Sequence, residues 1–128
     1  MYVRFTISDR DEDSQYEQGI FAAIYQLVAK GDLAPHELIW FRKIERWFNR
    51  NLCGPTRLKR SRKPNARNRA ICWLRFTAVE HVSRIREAAA LLDYMGVPVR
   101  ELRTERPGYV VYEDEYQVAA VPFGRETF

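Results

Sequence analysis

A chain of 128 residues, 46% hydrophobic and 30% charged, is one globular domain's worth and can fold on its own core without disulfides or a structural metal. No apolar run approaches the roughly 18 residues of a membrane span, and acids occupy Asp9 to Asp13 where a signal peptide would be apolar, so the expectation is a cytoplasmic chain with free thiols at Cys53 and Cys72. The net charge of +4 is unevenly placed: residues 57–69 carry seven Lys or Arg and no acid, and the rest of the chain is mildly acidic.

Residues 1–7 alternate, with Val3, Phe5 and Ile7 on one side and Tyr2, Arg4 and Thr6 on the other, which predicts a half-buried strand. Ser14-x-x-Glu17 has the spacing of a capping box and predicts a helix start. Ile20, Phe21, Ile24, Leu27 and Val28 then recur at helical intervals until Lys30-Gly31 closes the helix. Pro35 opens a second helix, over 36–52, at a position where its missing N–H costs nothing. Trp40, Phe41, Ile44, Trp47 and Phe48 form its apolar stripe, and Cys53-Gly54-Pro55 ends it. Two amphipathic helices this close in sequence are expected to form an antiparallel hairpin.

Residues 57–69 read RLKRSRKPNARNR. Only Leu58 and Ala66 are apolar, Pro64-Asn65 interrupts the segment, and like charges so dense repel, so an extended, flexible loop is expected. Arg57, Lys59, Arg60, Arg62, Lys63, Arg67 and Arg69 suit a polyanion, RNA or DNA contacted through its phosphates, because each neutralised phosphate releases counterions and the guanidinium fork grips phosphate. Solubility, or pairing with acids elsewhere in the fold, would account for the same composition. Nothing in the segment reads base edges.

Residues 70–76 (AICWLRF) are apolar on both faces apart from Arg75 and read as a central strand, with Cys72 in the core. Thr77-x-x-Glu80 has the spacing of a second capping box, and Ala78, Val82, Ile85, Ala89 and Leu92 form the stripe of a third helix ending at Gly96. Residues 97–102 form a strand that Pro98 pushes toward an edge. After the Pro107-Gly108 turn, residues 109–112 and 116–121 make a hairpin with the acidic tip Glu113-Asp114-Glu115. The expected architecture is a single two-layer α+β domain over residues 1–128, in the order β-α-α-β-α-β-β-β, with three helices on a mixed sheet whose 70–102 unit is parallel and right-handed. Its core is expected to include Val3, Phe5, Ile20, Phe21, Ile24, Trp40, Ile44, Ile71, Trp73, Val82, Ile85 and Leu92.

Chemistry-bearing constellations are sparse. His36 and His81 each stand at a helix start and are too far apart in sequence to suggest a metal cage. The three tip carboxylates read as a hydrated turn, or as a negative tip docking on the basic loop; no serine stands in a nucleophile elbow, and no glycine-rich phosphate loop occurs. Metal and cofactor are therefore not expected. Tyr109, Tyr112 and Tyr116 could pack on the sheet or form a stacking platform for single-stranded nucleic acid. Three function classes stay open: a non-enzymatic binding module using the basic loop; a protein-protein adaptor or oligomer using the aromatic helix 36–52; and a small enzyme around His81, with Glu80 and the tip carboxylates as candidates.

Residues 69–123 combine a strand ending Trp73-Leu74-Arg75, a helix with His81 near its start, and the ending PGYVVYEDEYQVAAVPF. In these features, and more loosely in the MYVRF strand and the helix near Ser14, the chain resembles a family of small uncharacterised bacterial proteins. The resemblance implies a stand-alone bacterial, cytoplasmic domain, and carries over no catalytic residue.

Overall fold

The structure, a computed structural model, describes residues 1–10, 17–52 and 70–123. Strand β1 (Tyr2–Arg10) is the hub of the sheet. Tyr2 and Val3 pair with both β3 (Ile71–Arg75) and β4 (Arg100–Thr104), and Thr6 pairs with both β2 (Glu17–Gly19) and β4. It follows that β4 runs along one edge of β1, while β3 and β2 share the other. β6 (Gln117–Val121) adds beyond β3, and β5 (Tyr109–Glu113) beyond β6.

The α+β class and the order of elements are as expected. The mixed pairing is not, because every registered pair is antiparallel. β3 and β4 do run parallel to each other, as a β-α-β unit requires, but β1 lies between them and separates the pair. Parallel relationship without parallel hydrogen bonding is the result.

Helix α1 (Ile20–Lys30) starts five residues later than the Ser14 box suggests. Glu17 and Gly19 pair antiparallel with Arg10 and Thr6, which holds 17–19 extended, and Gly19 becomes the N-cap. Ser14 itself lies outside the described residues. Gly31 ends α1 at φ 73°, where a left-handed residue lets the Gly31 and Asp32 amides donate to Val28 and Leu27 carbonyls.

Helix α2 (Pro35–Asn51) begins on Pro35 as expected, and the Glu37 carboxylate accepts the Ala34 N–H at 2.7 Å. Phe41, Ile44 and Phe48 are buried, and the rings of Phe41 and Phe48 meet Phe21 of α1 at 6.0 and 5.2 Å. Helix α3 (Val79–Tyr94) follows β3. The second box does not form: Ala78 is the N-cap without a side-chain bond, and Glu80 reaches forward to Arg84 instead. A Thr77 carbonyl already bonded to the Val79 amide closes a tight turn there. The helix stripes then bury against Val3, Phe5, Ile7 and Leu74 in one continuous cluster.

Of the expected core, Val3, Phe5, Ile20, Ile24, Ile44, Ile71, Trp73, Val82 and Leu92 are buried, and Phe21, Trp40 and Ile85 are partly buried against them. A second cluster of Ile71, Trp73 and Val118, with Tyr2 and Leu102, lies on the sheet face opposite Val3 and Leu74. β6 is buried along its whole length. Cys72 departs from expectation: it is exposed rather than core. Desolvation nonetheless pushes its thiol pKa up, with the charge of Arg4 opposing and that of Asp114 adding.

Candidate nucleic-acid interface

The seven basic side chains expected to meet phosphate, Arg57, Lys59, Arg60, Arg62, Lys63, Arg67 and Arg69, lie outside the described residues, as does Cys53. What is described is the helix that leads to them. The apolar stripe of α2 faces α1 and α3, so its other side is turned to solvent along the whole helix. Lys43, Arg46, Asn49 and Arg50 are exposed there. Residues 43, 46 and 50 are spaced i, i+3 and i+7, which aligns them in one stripe about 10 Å long at 1.5 Å per residue.

Among the described residues of α2, Glu45 is the acid beside that stripe. Glu45 accepts the Tyr25 hydroxyl from α1 and pairs with Arg42 at 3.0 Å. The Tyr25 hydrogen bond lowers the Glu45 pKa, against the effect of desolvation, with Arg42 adding to it. Arg46 Nε donates to the Arg42 carbonyl at 3.3 Å, and the charge of Arg46 also acts on Glu45 and lowers its pKa. Beside the stripe, the half-buried Trp47 is covered by the Arg84 guanidinium at 4.4 Å from the ring centroid, and Arg84 pairs with Glu80.

His81 is buried, which its expected place at a helix start did not suggest. Its Nε2 lies 2.8 Å from the Asn51 carbonyl oxygen. Because a carbonyl only accepts, the ring donates from Nε2. The imidazole stacks on Tyr116 at 4.3 Å and 24°, and meets Trp47 edge-on at 4.7 Å. The expected enzyme arrangement, a cleft with a carboxylate in hydrogen-bond reach of His81, is not among the described contacts; Glu80 faces Arg84. The signal for burial was present: Ala78, His81, Val82 and Ile85 lie at i, i+3, i+4 and i+7, so His81 sits on the apolar stripe.

The acidic tip is built rather than merely hydrated. Asp114 Oδ1 accepts the amides of Tyr116 and Gln117, and Oδ2 accepts the Tyr112 hydroxyl at 2.7 Å and Gln117 Nε2 at 3.2 Å. Arg75 donates to the Asp114 carbonyl and pairs with Glu113. The three tyrosines are accordingly separated in role: Tyr116 holds His81, Tyr112 holds Asp114, and Tyr109 is exposed and meets Phe123 at 4.8 Å, with Arg106 over the Phe123 ring.

His36 is exposed on the rim of an open depression of about 530 Å³ between the first turns of α2 and the last turns of α3, with Glu37, Trp40 and Glu87 around it. Its walls are mostly apolar, and Glu37 is occupied in capping α2. Among the described residues no group of three His, Cys, Asp or Glu side chains converges to hold a metal ion, and no helix is long and apolar enough to cross a membrane. Compared with known proteins, the chain matches no family model, no curated protein and no solved structure.

Proposed function

We propose that the chain is a non-enzymatic binding module whose segment 57–69 contacts RNA or DNA through phosphates, without sequence preference. One observation carries this reading: seven cations and no acid within thirteen residues, on a chain that is otherwise mildly acidic. Field strength so concentrated attracts a polyanion, and the counterions it displaces supply the free energy. A bacterial, cytoplasmic setting belongs to the same reading and rests on the resemblance of residues 69–123.

The test is fluorescence anisotropy with single- and double-stranded oligonucleotides over a range of salt. With about five of the seven cations on duplex phosphate, the log–log slope of affinity against salt is about −4 to −5. A variant carrying Arg60→Ser, Arg62→Ser, Lys63→Ser and Arg67→Ser keeps its fold and loses most of that slope. Equal binding by both proteins, or none by either at low salt, overturns the reading and leaves solubility or an acidic protein partner as the role of the segment.

A further inference from the structure

We infer that the surface shared by α2 and α3 binds a second copy of this chain about a two-fold axis, with α2 of each copy lying over α3 of the other. Such an assembly is independent of what segment 57–69 binds.

The two helices run antiparallel, side by side. At one end the Asn51 carbonyl meets His81 and Trp47 meets Arg84; at the other, His36 and Trp40 share a depression with Glu87 and Leu91. One turn back along α2 from Trp47, and one turn on along α3 from Arg84, brings Lys43 level with Glu87. Two further turns in the same directions bring His36 level with Tyr94. At that end the surface is apolar and unfilled. Tyr94 is 81% exposed and Ile39 59% exposed, and the depression of about 530 Å³ between the helices has mostly apolar walls. Large exposed apolar side chains next to an apolar hollow mark a face that a partner covers.

Charge selects the partner and its orientation. Lys43 and Arg50 stand exposed on α2, and Glu87 stands exposed on α3. A helix-pair face meets its own copy about a two-fold axis that runs either across the helices or along them. An axis across the helices stacks α2 on α2 and α3 on α3, like charge on like. An axis along the helices sets α2 over α3 at equal height. Lys43 of each copy then faces Glu87 of the other, and the Tyr94 ring of each enters the other's depression beside His36 and Trp40. Hole, ring and both charges thus lie on one face in self-complementary positions, which an unrelated partner does not require.

The size of the face sets the strength. Helices of about 24 Å, packed about 10 Å apart, offer roughly 500 Å² per copy and about 1,000 Å² in all. That is the lower bound of specific interfaces, so the assembly forms in the micromolar range and not below it.

Sedimentation equilibrium of the full chain, from about 5 to 500 µM, measures it. Wild type should pass from monomer to dimer within that range and stop at two copies, because a two-fold contact closes on itself. Tyr94→Ala should weaken the dimer about tenfold or more. So should Lys43→Glu and Glu87→Lys, each of which sets like charges face to face twice per dimer. Mixing those two variants restores both contacts, since each Glu then meets a Lys. The mixture should dimerise within about threefold of wild type while each variant alone stays largely monomeric. Lys30→Glu changes charge away from this face and should leave the dimer intact. The replaced side chains are all exposed, and circular dichroism with a thermal melt verifies that each variant folds. A wild type that stays monomeric throughout the range overturns the inference, as does a dimer that survives Tyr94→Ala and both charge reversals unchanged. Equal loss in Lys30→Glu shows a net-charge effect and overturns the face. Loss in both charge variants without recovery on mixing overturns the placement of α2 over α3. Every variant keeps segment 57–69, so each of these failures leaves the nucleic-acid reading intact.

Discussion

His81 and Asn51 join two helices: Nε2 of the first donates to the carbonyl oxygen of the second across 2.8 Å. The contact ties the start of α3 to the last residue of α2, where the helix leaves its carbonyls without intrahelical partners. Tyr116 stacks on the outer face of the imidazole and brings the β5–β6 hairpin to the same point. His81 therefore acts as a buried keystone between two helices and the sheet. His81→Ala removes the ring, the stacking and the bond, and should cost about 2–3 kcal/mol in urea denaturation. His81→Phe keeps the ring volume and should cost about 1 kcal/mol. Full stability in the alanine variant would show that the ring carries no structural weight.

Asp114 performs a similar task inside one turn. Burial would raise its carboxyl pKa, but the Tyr116 amide, the Tyr112 hydroxyl and Gln117 all donate to the ionised form, and the net result is a value below the usual 3.8. A depressed folded-state pKa means that the stabilisation is fully present above the unfolded value and is lost as pH falls through the folded one. Asp114→Ala should therefore cost about 2 kcal/mol at pH 7. The gap between variant and wild type should narrow as pH falls below the unfolded value near 3.8 and through the lower folded-state one. Denaturation curves at pH 7, 5 and 2.5 measure it; a gap independent of pH would assign the loss to something other than ionisation.

Local signals and long-range ones were unequally legible in the sequence. Pro35, Gly31 and Gly96 announce helix ends because each is fixed by the backbone of a single residue, and all three stand where their chemistry requires. The alternation over Val3, Phe5 and Ile7 likewise gave the strand and its buried face. The Ser14-x-x-Glu17 spacing misled because Glu17 is claimed by Arg10 across a strand pair, a contact seven residues away that a four-residue pattern does not encode. Apolar neighbours on both sides of Cys72 point to a core position, yet cover at one position depends on which helix lies above it. The charge of residues 57–69 was plain in the sequence. The polar side of the amphipathic helix α2 was also visible, but the pairing of Arg42 with Glu45, and the hydrogen bond to Glu45 from Tyr25 twenty residues earlier, appear only in three dimensions.

Tyr25 and Glu45 make the second polar link between helices. Desolvation, the hydrogen bond to Glu45 and the carboxylate's charge push the Tyr25 pKa up to about 12, while Arg42 opposes them. A raised folded-state pKa stabilises fully below the unfolded value near 10 and loses its contribution as pH rises through about 12. The link thus holds across the neutral range, weakening in strong alkali as Tyr25 ionises and in acid as Glu45 takes up a proton. NMR titration of the Tyr25 ring should place its midpoint near 12 in the wild type and closer to 10 in Glu45→Gln. An unchanged midpoint in that variant would leave burial as the sole cause.

Gly108 is the position at which the hairpin tolerates no side chain. Its φ of +133° lies where L residues rarely go, and a Cβ built there would stand 2.2 Å from the Val121 carbonyl oxygen and 2.7 Å from its carbon. These are backbone atoms of β6, so no rotamer change relieves the contact. Tyr109, the next residue, pairs with Val121, and any retreat of Gly108 pulls β5 away from β6 at its first pair. Gly31 supplies the comparison: it is also left-handed, at φ +73°, but nothing lies within 4 Å of its would-be Cβ. Gly31→Ala should then cost only the left-handed backbone penalty, about 1 kcal/mol, whereas Gly108→Ala should cost about 3 kcal/mol or more. At roughly 4 °C per kcal/mol for a domain of this size, the two melting temperatures should differ by about 8 °C. Equal melting temperatures would mean that the close approach of Gly108 to Val121 relaxes freely, and that the hairpin does not depend on a glycine there.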